Sequence, residues 1–219
     1  MHLFKRIALM LVVVLSLPML VRADEPNSKD PPSSKFELEV NGKTQTVEVD
    51  KPFDVTVGGQ TVHLKLHELP YKIFDKAGIK FQYPSSFGWE MSDANPGVSI
   101  FTLSGNDNKF IISYYPKLSD DKTIAASTVG AMVKAYGAAN VKKTPVSVEL
   151  GKTKLDGTRL DVNLAGHRIV QDIYTFKTGG GTVGMIIQDS PKETGEASDE
   201  AKSTLEMVTK TFEVTDEAK

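Results

Sequence analysis

Residues 110–115, Phe110-Ile-Ile-Ser-Tyr-Tyr115, carry apolar side chains on both faces of one strand. Strand side chains alternate, so Phe110, Ile112 and Tyr114 point one way and Ile111 and Tyr115 the other. A strand that is apolar on both sides must be covered on both sides. The stretch 170–176 is similarly mixed. Two helical patterns offer cover. Residues 123–137 place Ala125, Val129, Met132, Val133 and Tyr136 on one stripe, and residues 198–212 do the same with Ala201, Leu205, Val208 and Phe212. Asp120-Asp121 and Asp199-Glu200 stand where each helix begins and suit the positive end of its dipole. Further strand-like runs occupy 78–83, 98–103, 146–150, 159–164 and 182–188, several of them joined by short glycine turns. The expectation is an α+β domain, a mostly antiparallel sheet covered by helices on both faces, that is, an α/β/α sandwich.

Upstream, residues 36–68 read as a small antiparallel β-meander. Phe36, Leu38 and Val40 alternate with Glu37 and Glu39, Asn41-Gly42 is a hairpin signal, and Val47 and Val49 continue the alternation. Phe53, Val55 and Val57 lead into Gly58-Gly59 and then Val62, Leu64 and Leu66. A two-residue turn at Gly58-Gly59 sets Val55 against Val62, Phe53 against Leu64, and Asp54 against His63 on the wet side.

The N-terminus reads as an address. Residues 1–23 combine Lys5 and Arg6, an apolar run from Ile7 to Val21 and a Val21-Arg22-Ala23 end, the parts of a secretory signal peptide. The apolar run is shorter than the ~20 residues of a spanning helix. Residues 24–35, DEPNSKDPPSSK, are polar and proline-rich, a flexible linker. The 219 residues include no cysteine. That removes thiol catalysis, disulfides and a lipid-bearing cysteine together, and the expected location is periplasmic or extracellular, as a soluble exported protein. Loss of Lys5, Arg6 and Arg22 would take the balance of 26 basic and 28 acidic residues from −2 to −5. An acidic exported chain is a poor match for nucleic acid.

The stretch Gly78-Ile-Lys-Phe-Gln-Tyr-Pro84, followed by Trp89, resembles the opening strand of the Mog1/PsbP-like proteins. A hairpin at Asp156-Gly157, paired long strands running to Ser190 and a closing helix ending in Phe212 are similar too. The resemblance spans residues from about 70 to 215. It implies a Mog1/PsbP-like α/β/α domain with a noncatalytic role, because PsbP is an accessory subunit of a photosynthetic complex and Mog1 binds a small GTPase. Bacterial relatives are often envelope lipoproteins, and here the chain departs by lacking the lipidation cysteine. The meander at 36–68 also lies outside the matched region.

Motifs for chemistry are sparse. Gly179, Gly181 and Gly184 spell G-x-G-x-x-G, but a strand follows where a dinucleotide site needs a helix. His63 and His67 are the metal-ligand candidates, and on one straight strand they stand ~13 Å apart, too far to share an ion. His167 falls in a turn. No serine sits in a nucleophile elbow. Asp161 and Asp172, on neighbouring strands, are the one carboxylate pair placed for acid/base work. Trp89, with Tyr114 and Tyr115, supplies the candidate contact residues, since aromatic side chains favour binding rims. The expectation is a noncatalytic binding or accessory protein acting through protein–protein contacts in the cell envelope, without a cofactor. Two alternatives stand beside it. One is a small-ligand carrier whose apolar pocket between sheet and helix is lined by Met132, Tyr136 and Met185. The other is a hydrolase using Asp161 and Asp172.

Overall fold

The computed structural model describes residues 35–95, 97–116 and 120–215. The expected signal segment 1–23, and the linker 24–35 apart from its last residue, lie outside them. The described residues form two compact units that meet in sequence at Pro70 and Tyr71.

The first unit holds two hairpins. Strands β1 (Lys35–Val40) and β2 (Lys43–Glu48) join through Asn41-Gly42, with φ values of 51° and 75°. Strands β3 (Pro52–Val57) and β4 (Gln60–Lys65) join through Gly58-Gly59, with φ values of 60° and 82°. Two consecutive positive φ angles give the turn whose twist matches antiparallel strands, which is why Asn-Gly and Gly-Gly stand there. The β3–β4 register is Phe53 opposite Leu64, Asp54 opposite His63 and Val55 opposite Val62, as the turn predicts. The two hairpins are separate two-stranded ladders, where the alternation suggested one continuous meander. Asp50, at a φ of 61°, breaks the chain between β2 and β3, and its backbone N–H bonds Leu66 O at 2.8 Å.

The second unit starts with a hairpin of β5 (Tyr71–Lys76) and β6 (Ile79–Pro84). Strands β7 (Gly88–Asn95), β8 (Val98–Ser104) and β9 (Asn108–Pro116) follow. Helix α1 (Asp121–Tyr136) leads through a short 3₁₀ turn to β10 (Val141–Leu150), β11 (Thr153–Leu164), β12 (His167–Thr178) and β13 (Gly181–Asp189). Helix α2 (Asp199–Thr211) and a two-residue β14 (Glu213–Val214) close the order. The main sheet is antiparallel throughout in the order β10-β11-β12-β13-β9-β8-β7, and a second sheet runs β14-β6-β5. Each helix is capped at its N-terminus by a side chain. Asp120 accepts from Thr123 N at 3.2 Å, and Ser198 accepts from Ala201 N at 3.0 Å.

Both faces of β9 are indeed covered. Phe110 and Ile112 enter one core with Leu103, Tyr174 and Met185, while Ile111 packs with Leu160, Val162, Ile173 and Ile186 on the other side. The cover itself corrects the α/β/α expectation. Helix α1 lies on the second face through the buried Met132 and the partly buried Val129, Val133 and Tyr136. On the first face the small sheet does the covering. Buried Ile79, Phe81 and Tyr83 of β6 and Phe74 of β5 pack there, with Val208 of α2 and Phe212 just after it beside them. Phe81 stacks on Phe74 and Phe212 at ring separations of 5.0 and 6.2 Å and meets Phe110 at 6.0 Å. The fold is therefore mostly antiparallel sheet with only two α-helices among the described residues, not a sheet sandwiched by helices. The physical reason is the β5–β6 hairpin, whose aromatic face supplies the apolar area assigned to a helix. Its turn, Ala77-Gly78 at φ values of 60° and 73°, carries no Asn or Asp to announce it.

Asp156-Gly157 is likewise not a hairpin turn. It lies within β11, and Gly151-Lys152 turns the chain instead. A Cβ on Gly157 would sit 2.3 Å from Ile173 O and 2.7 Å from the Tyr174 ring, so the glycine serves the close approach of β12.

Candidate functional site

The segment 85–90 reads as a loop by composition, yet Gly88–Asn95 is the terminal strand of the main sheet. Among the described residues β7 has one ladder partner, β8, so its outer row of backbone N–H and C=O groups is unpaired within the sheet. Trp89 stands opposite Leu103 and Met91 opposite Phe101, on the face that holds the aromatic core. The Trp89 ring lies 5.8 Å from both the Phe74 and the Phe101 rings, tilted at 45° to each. Two buried rings thus hold its inner side while 46% of the residue is exposed. Met91, 53% exposed, extends the apolar strip along the same edge. On the reverse face β7 presents Glu90 and Ser92, and Asp93 accepts from Ser99 Oγ at 3.1 Å before the ladder shifts at Asn95.

The other two aromatic candidates do not join this strip. Tyr114 shares the face of Trp89, but Trp89 is level with Phe110, which puts Tyr114 about 13 Å further along its strand. Its hydroxyl donates to Gly180 O at 2.8 Å, a bond that ties β9 to the turn before β13. Tyr115 belongs to the opposite face, and burial pushes its phenol above the ordinary value. Met91 escaped the sequence reading. The alternation Trp89-Glu90-Met91 was its signal, masked by the Ser-Ser-Phe-Gly that precedes it.

The two histidine candidates each meet a carboxylate. His63 Nδ1 lies 2.6 Å from Asp54 Oδ1, and His67 Nδ1 lies 2.7 Å from Asp50 Oδ1, all four side chains exposed. No group of three or more His, Cys, Asp or Glu among the described residues is placed to hold a metal ion.

Asp161 and Asp172 do lie on one face of β11 and β12, each in a bidentate grip. Arg168 Nε and Nη2 donate to Asp161 at 2.8 and 2.6 Å, and Arg159 Nε and Nη2 donate to Asp172 at 2.6 and 2.7 Å. The Arg168 guanidinium holds the Asp161 carboxyl below the usual range. A general acid needs the reverse, a carboxyl raised toward working pH. These pairs edge a hollow of about 190 Å³ between the sheet and the start of α2.

The three carrier residues are split. Met185 is buried in the aromatic core and Met132 in the core under α1, on opposite faces of the sheet. The Tyr136 hydroxyl accepts from Gln171 Nε2 at 2.9 Å. They cannot line one pocket.

Comparison with solved structures finds similarity of fold at low identity. A point mutant of protein Mog1 is 10% identical over 68% of this chain and 97% of its own, with a TM-score of 0.45. A Bacteroides thetaiotaomicron VPI-5482 protein is 17% identical over 67% of this chain, with a TM-score of 0.39, and this chain spans 49% of its length. No protein-family model matches the sequence. No curated protein matches it either.

Proposed function

We propose that this chain is an exported, noncatalytic binding or accessory protein of the cell envelope that grips an extended segment of a partner protein along β7. The carrying observation is the pair Trp89 and Met91, both half-exposed, side by side on a strand with a free hydrogen-bonding edge. Strand addition draws affinity from main-chain hydrogen bonds and selectivity from alternate side chains. Apolar partner residues would rest on Trp89 and Met91. The intervening ones would face Glu90 on the reverse side, which favours Lys or Arg there. Export follows from the residues 1–23 reading, and the net charge of −5 without that segment favours basic partners over nucleic acid. A Mog1/PsbP-like assignment rests on the Tyr83-Pro84 strand end and the Trp89 that follows it, and the reading needs no cofactor.

The test is co-purification of the tagged full chain from its own envelope fraction, beside Trp89→Ala and Met91→Lys variants. A protein recovered with the wild type and lost with both variants supports the reading. Recovery of the wild type as a free monomer, or of the same partner with every variant, overturns it.

A further inference from the structure

The apolar face of the β3–β4 hairpin is buried at Val55 of β3 and open along β4. Val55 is 6% exposed, while Val62 directly opposite it is 40% exposed. Leu64 and Leu66, also large and exposed, continue the open row. His63 and Lys65 alternate with them on the reverse face. Among the described residues β4 has one ladder partner, so the chain carries a second free strand edge besides that of β7.

The backbone phase of each edge follows from one end of its ladder. Gly105 N donates to Asn108 O at 2.8 Å, so the polar groups of these two residues face each other across β8 and β9. Alternation then turns the N–H and C=O of Thr102 and Ser104 toward β7, and those of Gly88, Glu90 and Ser92 toward β8. The outward groups of β7 are therefore those of Trp89 and Met91, whose side chains form its apolar strip. On β4 the two-residue turn makes Val57 and Gln60 a bonded pair, which turns Val62 and Leu64 toward β3. The outward groups of β4 belong to His63 and Lys65. The same phase turns Asp54 O outward from β3, where Gln45 Nε2 reaches it at 3.5 Å.

These phases decide how the two edges fit. Antiparallel pairing sets outward residue against outward residue, which puts Lys65 opposite Trp89 or Met91 and the leucines on the Glu90 face. Parallel pairing bonds each outward residue to the two that flank its opposite. Leu64 then falls opposite Trp89, Lys65 opposite Glu90 and Leu66 opposite Met91, and all three pairs match in character. Glu90 is exposed, with no hydrogen bond or ion pair among the described residues. Lys65 Nζ stands 3.8 Å from Asp50 Oδ1, an atom that already meets His67 at 2.7 Å, so the ammonium is loosely held. We propose that β4 of a second copy of this chain docks parallel to β7 in that register. Trp89 N donates to His63 O, Lys65 N to Trp89 O, and Met91 N to Lys65 O. The proposal rests on the reading of β7 as an edge that accepts a strand, and it names the strand. A seam this short buries less than the roughly 1,200 Å² of a standard interface, so the association is weak and concentration-dependent.

Sedimentation equilibrium from micromolar to millimolar concentration tests it, on the protein purified after expression of the full chain. The weight-average mass is expected to rise with concentration. Glu90→Lys and Lys65→Glu each set like charges face to face, and each is expected to weaken association about 5–10-fold. The double variant restores the pair with its signs exchanged and is expected within about twofold of wild type. Both positions are exposed, so these variants keep the fold. A double variant no better than the single ones overturns the proposal. A monomer at millimolar concentration overturns it too, but not the β7 reading, which capture from the envelope decides. Association abolished by Trp89→Ala and untouched by Lys65→Glu means that β7 takes a different strand, and the proposal fails alone. Association that Trp89→Ala leaves unchanged sinks the seam at β7 altogether.

Discussion

The Glu200 carboxylate, in the first turn of α2, accepts the backbone N–H of Asn108 at 2.8 Å at the foot of β9. It also accepts from Asn106 N at 3.1 Å and Asp107 N at 2.6 Å, so one side chain satisfies three successive amides of the β8–β9 turn. Hydrogen bonds to charged groups are worth about 1.5–3 kcal/mol where they are sheltered, and this cluster is partly so. Glu200→Ala is therefore expected to lower unfolding stability by about 2 kcal/mol. Urea denaturation measures it, and hydrogen exchange should accelerate at residues 106–108. An unchanged midpoint would show that solvent serves these amides equally well.

Gly157 faces the backbone of Ile173 and the fully buried Tyr174 ring, neither of which can move aside freely. Gly157→Ala must push β11 from β12, and overpacking of this kind costs about 1–3 kcal/mol. A thermal melt checks it. The neighbouring surface change Asp156→Asn serves as the control, expected within about 0.5 kcal/mol of wild type.

The Phe81 ring joins Phe74 of the small sheet, Phe212 just after α2 and Phe110 of β9. Phe81→Ala is expected to cost about 3–5 kcal/mol, as for other buried aromatic truncations. Trp89→Ala removes a half-exposed ring and should cost well under that. If the two variants melt together, the small sheet does not provide the cover assigned to it.

Asp161 has a folded-state pKa below its unfolded value because of Arg168. Its contribution is fully present above the unfolded pKa of about 3.9 and is lost as pH falls through the folded value. The pair is partly exposed, so the expected size is about 0.2–1 kcal/mol. Urea midpoints of wild type and Asp161→Asn should differ at pH 7 and converge as pH falls through the folded value. A constant gap across that window would remove the ion pair as its source.

The single Trp89 reports on its own edge. Half-exposed and packed on two phenylalanines, it should be quenched by acrylamide in the free protein and protected once a partner strand covers β7. Quenching that does not change in the complex would place the partner elsewhere.

What the amino-acid order determined by itself was local. Alternation over a few residues set which side of β9 each ring takes, Gly58-Gly59 set the β3–β4 register, and the apolar stripes with acidic residues at their starts placed α1 and α2. These depend on φ, ψ and side-chain direction within a turn or two, and short stretches carry that information. Only the tertiary structure decided what covers the first face, because a hairpin and a helix both offer an apolar surface and nothing local ranks them. It also decided that Trp89 ends on an edge strand, that Asp161 and Asp172 face arginines, and that Met132 and Met185 part company. Each of these follows from strand order, above all the pairing of β9 with β13, which joins segments some seventy residues apart. Packing chooses such partners over the whole chain, by burying the most apolar area with the fewest polar atoms left unpaired.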